Sequence, residues 1–178
     1  GSSISTVTHT VTLPVSHFSV YALICPAFTG QGAIYDVVDL GVLFGGIGAV
    51  PLGLSSNGKV SGYSVSSDQT LHAFVWQDGQ LIDLGHLDGD NGSVANAVNS
   101  SGIAVGYSNN AKDGAFPALF DHGTVTPINT EFGPGGGNAT AINDLGDYIV
   151  ANAFFRDKKP THFVGFVPST ESTALNKS

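Results

Sequence analysis

With 178 residues, 42% of them hydrophobic and only 11% charged, the chain has the size and composition of one domain with a real core, not of a disordered segment. Six Lys and Arg against 14 Asp and Glu leave a net charge of −8, and Lys158–Lys159 is the only cationic pair, which argues against nucleic acid or an anionic membrane surface as partner. No apolar run approaches the roughly 20 residues of a membrane-spanning helix, and 24 glycines point to a turn-rich β protein.

Residues 1–34 form a first region. Its opening Gly-Ser reads as an expression remnant, and with no Met in the chain this is consistent with a native signal peptide having been removed. Thr6–Leu13 has the pattern of a strand, and His17-Phe18-Ser19-Val20-Tyr21 loosely echoes His72-Ala73-Phe74-Val75-Trp76. Cys25 is alone, so no intrachain disulfide forms; before Pro26, at the end of an apolar stretch, it reads as a small hydrophobe.

Residues 35–167 are dominated by a repeat. Val50–Ser64 returns 44 positions later as Val94–Ser108, and again as Asn138–Asn152. Gly58, Gly102 and Gly146 stay in register, and the Asp-Leu-Gly of 39–41 returns at 83–85. A strand-like pattern with this period predicts a propeller or solenoid. Tyr35–Leu40 reads as a fourth-type strand with no complete unit before it. In the first unit Ala49–Ser55, Lys59–Val65, Leu71–Gln77 and Gln80–Leu84 read as four strands, with hairpin turns at Ser56–Gly58 and Asp78–Gly79. Phe74 and Trp76 fall on one face of the third strand and Val75 on the other. The second unit spans about 93–129, with turns at Ser100–Gly102 and His122–Gly123 and with Phe120 in the place of Trp76. The third begins at 138, turns at Asp144–Gly146, and reaches its third strand at His162–Val167, with Phe166 at the Trp76 position. It then stops, because 168–178 is a Ser/Thr-containing tail. The expected fold is all-β, with four-stranded antiparallel blades in a propeller-type array.

Four groups of residues are candidates for chemistry. Asp88-Gly89-Asp90-Asn91-Gly92 has the D-x-D-x-G spacing of a calcium loop, with Asp88, Asp90 and Asn91 as oxygen donors, but no bidentate Glu follows. Its plainer reading is a polar loop between units. His86 beside Asp88 is the best placed of six histidines for acid–base work. His72 and His162 share one repeat position and read as structural rings bonded to a neighbouring unit. Trp76 occupies one recurring aromatic position, and Tyr63 and Tyr107 occupy another. Such aromatics either stack on a sugar or fill the space between units, and recurrence favours core. No G-x-S-x-G elbow is present, and Gly133–Gly137 lacks the Lys of a phosphate loop.

The Asp-Leu-Gly, the Ala97–Ser108 hairpin and the His72-Ala73-Phe74 strand with its Asp-Gly turn together resemble the bacterial HAF repeat, over roughly 35–167. The resemblance weakens in the third unit, where His162-Phe163-Val164 replaces His-Ala-Phe. It implies a bacterial, often extracellular, β-propeller-like protein and assigns no catalytic residue. The function expected is a non-catalytic binding or adhesion module recognising a glycan or small molecule through its loops, with no resident cofactor apart from the calcium alternative. An enzyme with a pocket at the propeller axis or an oligomer interface, using His86, Asp88 and Asp90, is a second reading, and a structural assembly domain is a third. Three units are too few to close a ring. A homodimer in which the N-terminal Tyr35–Leu40 strand completes the partner's third unit at His162–Val167 is therefore expected, against a four-bladed monomer or a longer array.

Overall fold

A computed structural model describes residues 20–24, 36–43, 45–128, 136–153 and 162–166. All described elements are β-strands, and no helix occurs among the described residues. β1 (Val20–Ile24) and β2 (Asp36–Gly41) form a two-stranded sheet. The first repeat unit gives a four-stranded antiparallel sheet of β3 (Gly46–Leu54), β4 (Val60–Ser66), β5 (Leu71–Gln77) and β6 (Gln80–Asp83), in sequence order. The second unit repeats it with β7 (Gly92–Val98), β8 (Ala104–Asn110), β9 (Gly114–Asp121) and β10 (Thr124–Pro127). The third has three described strands, β11 (Gly137–Ile142), β12 (Ile149–Ala153) and β13 (His162–Phe166). Thr6–Leu13, Cys25 and the 168–178 tail lie outside the described residues.

Local chemistry sets the turns. Gln77 pairs with Gln80 and Asp121 with Thr124, so each outer hairpin closes with two residues. Asp78 and Gly79 have φ of 52° and 80°, and His122 and Gly123 have 46° and 89°, the positive pairs of a type I′ turn. The first strand of every unit carries a bulge at the same place, between Pro51 and Gly53, Ala95 and Ala97, and Ala139 and Ala141. A bulge re-aims its extra residue. The one at Asn96 sends its side-chain amide to the third sheet, where it donates to Asn138 Oδ1 and, at 2.8 Å, to the Ala139 carbonyl.

The core lies between the sheets. Ala73, Val75 and Leu84 of the first unit form one cluster with Ala95, Val98, Ala104, Ala118 and Phe120 of the second. Val105 forms the next with Ala139, Ile149 and Ala151, and Ile128 packs against it. Leu40 with Val60 and Phe74 forms a third, against which Val38 and Trp76 pack. Leu40, Leu84 and Ile128 are the same repeat position, so each cluster is the same contact between a unit and the one before it. As expected, Phe74 and Val75 belong to opposite faces.

In the third unit the 44-residue register slips. Asn99 N bonds to the Ile103 carbonyl across the second hairpin, whereas Asn143 N bonds to the Tyr148 carbonyl, one residue farther. Ala139 consequently faces Ala151, while its counterpart Ala95 faces Gly106. The counterparts of Gly62-Tyr63-Ser64 are therefore Ala151-Asn152-Ala153, not the Val150-Ala151-Asn152 of the ungapped repeat.

β2 pairs with β1 inside the chain, with Asp39 opposite Tyr21 and Val38 opposite Ala22. In the first unit Asp83, which is Asp39 shifted by one repeat, lies opposite Phe74. Tyr21 therefore stands at the Phe74 position, two residues away from the position suggested by the sequence echo.

Candidate ligand-binding end of the sheets

The inner hairpin turns lie at one end of the sheets and the loops between units lie at the other. At the turn end, Ser56, Ser100 and Asp144 occupy one repeat position and meet. Ser56 Oγ and Ser100 Oγ are 2.7 Å apart, and the Asp144 carboxylate accepts from Ser56 Oγ at 2.8 Å, from Ser100 Oγ at 2.7 Å and from Ser100 N at 3.1 Å. Asn57 adds a bond to the Ser100 carbonyl at 2.9 Å. The hydroxyls of Ser100 and Ser56, with the Ser100 amide, hold the exposed Asp144 carboxyl below its usual value.

The loop end carries most of the candidate residues. Gly85–Asn91 runs along the C-terminal end of β8: Leu87 N donates to Ser108 Oγ at 2.9 Å, and Asn91 N donates to the Asn109 carbonyl at 3.1 Å. Asp90 Oδ1 accepts from Asn110 Nδ2 at 2.6 Å, while its Oδ2 is buried without a partner. Asp88, Asn91 and His86 are exposed, and the His86 ring lies 3.0 Å from the Leu87 carbonyl through Nδ1. Asp90 thus spends one oxygen on closing the loop. Among the described residues no three His, Cys, Asp or Glu side chains gather into a metal-holding group.

Tyr107, in the middle of β8 and one residue before Ser108, is half-buried, as is Tyr63 in the middle of β4. Burial, and then Tyr63, raise the Tyr107 hydroxyl above its usual pKa. Ser93 ties the sheets together below them: its hydroxyl donates to the Gly85 carbonyl at 2.6 Å and accepts from Ala73 N at 3.0 Å. Trp76 is separated from this group. It pairs with Val60 at the turn end and packs against the Leu40, Val60 and Phe74 cluster, and its counterpart Phe120 is buried. The recurring aromatic is inter-sheet core, the reading that its recurrence favours.

One constellation was not anticipated. His72 Nδ1 lies 3.3 Å from Asp83 Oδ2, and His72 Nε2 lies 3.1 Å from Thr70 Oγ1. Both partners belong to its own sheet, whereas the sequence suggested the neighbouring unit. A carboxylate, an imidazole and a hydroxyl in line have the order of a hydrolytic triad. Here, however, Thr70 Oγ1 lies 2.7 Å from Asp68 Oδ1, so a carboxylate takes the hydroxyl proton that the imidazole would need. Asp68 also accepts from Ser66 Oγ and from Thr70 N at 3.1 Å, and the bonds from Ser66 and then Thr70 hold its pKa down at about 2. The array acts as a strut for the Ser66–Thr70 loop. Only the i, i+2 spacing of Asp68, Thr70 and His72 hinted at it, since Asp83 arrives from the next strand.

Compared with models of protein families, with curated proteins and with solved structures, the chain matches none.

Proposed function

We propose that the protein is a non-catalytic binding module of the propeller type, built from HAF-like repeats, which recognises a neutral hydroxyl-rich ligand, a glycan, at the loop end of its sheets. The observation that carries this reading is the recurrence of Tyr63 and Tyr107, half-buried aromatic rings at the same repeat position on neighbouring sheets. Tyrosine offers a rigid apolar face and one polar tip at small entropic cost, which suits the stacking of a sugar ring with a hydroxyl to anchor it. Asn91 and His86 supply exposed amide and imidazole groups nearby, and the low charge of the chain suits an uncharged ligand. In this reading each sheet is a blade, the chain acts outside a bacterial cell, and two chains make the working unit.

A glycan array, followed by titration with the best saccharide, tests the proposal. Binding that falls about tenfold or more in Tyr63→Ala and Tyr107→Ala, with the fold intact, is expected from the loss of one stacking ring. Absence of binding to every saccharide class overturns it.

A further inference from the structure

The repeated contact between sheets has two ends left over. Val98 on β7 is 5% exposed, in the cluster that holds Ala73 and Val75 of the preceding sheet, yet Leu54, the same position on β3, is 73% exposed. At the other end Val105 on β8 is fully buried against Ala139, Ile149 and Ala151, while Val150 on β12, its counterpart after the one-residue slip, is 46% exposed. The trailing face of the third sheet and the part of the first sheet's leading face around Leu54, beyond the contact with Leu40, are the two halves of a contact that the chain makes in full between its own sheets.

The strand inventory shows the same complementarity. The third sheet ends at β13, the place of a third strand, and no fourth strand follows among the described residues. β2 is a fourth strand by its position: Asp39 Oδ1 accepts from Gly41 N at 2.9 Å, just as Asp83 Oδ1 accepts from Gly85 N at 2.8 Å. β1 fills the third-strand place beside it, and the β1–β2 pair is two strands wide.

We infer that the trailing face of the third sheet docks on the leading face of the first sheet of a second copy, with β13 replacing the partner's β1 along β2. This rests on the propeller reading and gives its dimer a defined interface. The register follows from the repeat. Phe74 faces Asp83 in the first sheet, and Ala118 faces Pro127 in the second. Val164, opposite Ala151, holds the same place in the third. Across the interface Val164 therefore pairs with Asp39 and Gly165 with Val38. Val150 packs on Pro51 and Val60 of the second copy, whose Leu54 is covered by the docked sheet. Two such head-to-tail contacts, related by a two-fold axis, make a ring of six sheets and cover the open edge at β13.

Single-cysteine chains test the register. In a Cys25→Ser background, Val38→Cys and Gly165→Cys are purified separately, mixed and oxidised. A covalent heterodimer is expected from this pair. Val38→Cys with Val164→Cys should give almost none, because a one-residue slip puts the two side chains on opposite faces. Light scattering on the unmodified chain should give the mass of two chains. Leu54→Asp, at a site exposed in one chain, should keep its β-sheet circular dichroism and give the mass of one. A one-chain mass for the unmodified protein overturns the inference, as does a mass that grows without limit with concentration. The glycan array is read on the same samples: a monomer that binds saccharide removes the interface alone, and a cross-linked dimer that binds none removes the ligand reading alone.

Discussion

Ser56 Oγ donates to Asp144 Oδ2 at 2.8 Å across 88 positions of sequence, and Ser100, midway between them, donates to Asp144 Oδ1 through its hydroxyl at 2.7 Å and its amide at 3.1 Å. Three hairpin tips, one from each repeat, are joined at a point. The sheets are held together by apolar contact along their faces and by this polar pin at one end.

Removing the carboxylate should loosen the pin. Asp144→Ala leaves Ser100 N and two hydroxyls without their acceptor, and because all of them reach water the cost is modest: a fall in Tm of about 2–4 °C is expected. Asp144→Asn keeps one acceptor oxygen and should lose less. Thermal melts of both variants check this, and an unchanged Tm for Asp144→Ala means that the pin contributes nothing.

The same carboxylate gives the protein an acid limb. Asp68 and Asp144 both have folded-state pKa values below the ordinary carboxylate value, Asp68 at about 2. A depressed folded value stabilises the fold above the unfolded pKa, about 3.9, and that contribution disappears as pH falls through the folded value. Tm should therefore hold from neutral pH to about 5 and decline below about 4. Asp68→Asn combined with Asp144→Asn should flatten the decline. Both groups are exposed, so the effect should shrink in high salt. An acid limb identical in the double variant would assign it to other carboxylates.

Turns and strands were legible because they depend on neighbours in sequence. The β5 bounds, Leu71–Gln77, follow from alternation, and the two-residue turn at His122–Gly123 follows from its register with Asp78–Gly79. The one-residue slip after Gly146 was not legible, since Val150-Ala151-Asn152 and Ala151-Asn152-Ala153 fit a strand equally well. Only the pairing of Ala139 with Ala151 reveals it. At the candidate site, the loop residues and the two tyrosines could be named from the sequence. The distance of Trp76 from them, and the tie between Asp90 and Asn110, depend on which end of each sheet a residue occupies.

Equivalent positions at different depths offer a direct test of the open leading face. Val98→Ala removes buried apolar volume between two sheets and should cost about 1–3 kcal/mol. Leu54→Ala, at the same repeat position on the exposed face, should cost within about 0.5 kcal/mol in the single chain. Urea denaturation of both variants at low protein concentration measures the difference. Equal losses would mean that the leading face is already covered in the single chain.

Gly106 and Gly62 mark where the first two units are packed most tightly. A Cβ on Gly106 would lie 1.9 Å from the Val94 carbonyl oxygen, and one on Gly62 would lie 2.0 Å from that of Val50. Both obstacles are backbone beside a bulge, so relief requires the strand pair itself to shift. The third unit carries Ala151 at this place, buried at 1%, which shows that the unit accepts a methyl once its hairpin is one residue longer. Gly106→Ala alone should cost about 1–3 kcal/mol, as overpacking does. Inserting one residue after Gly102, to copy the longer third hairpin, should recover part of that loss. Denaturation of the substitution with and without the insertion decides the matter. If Gly106→Ala is as stable as the parent chain, the close approach of β7 and β8 is not a constraint on this fold.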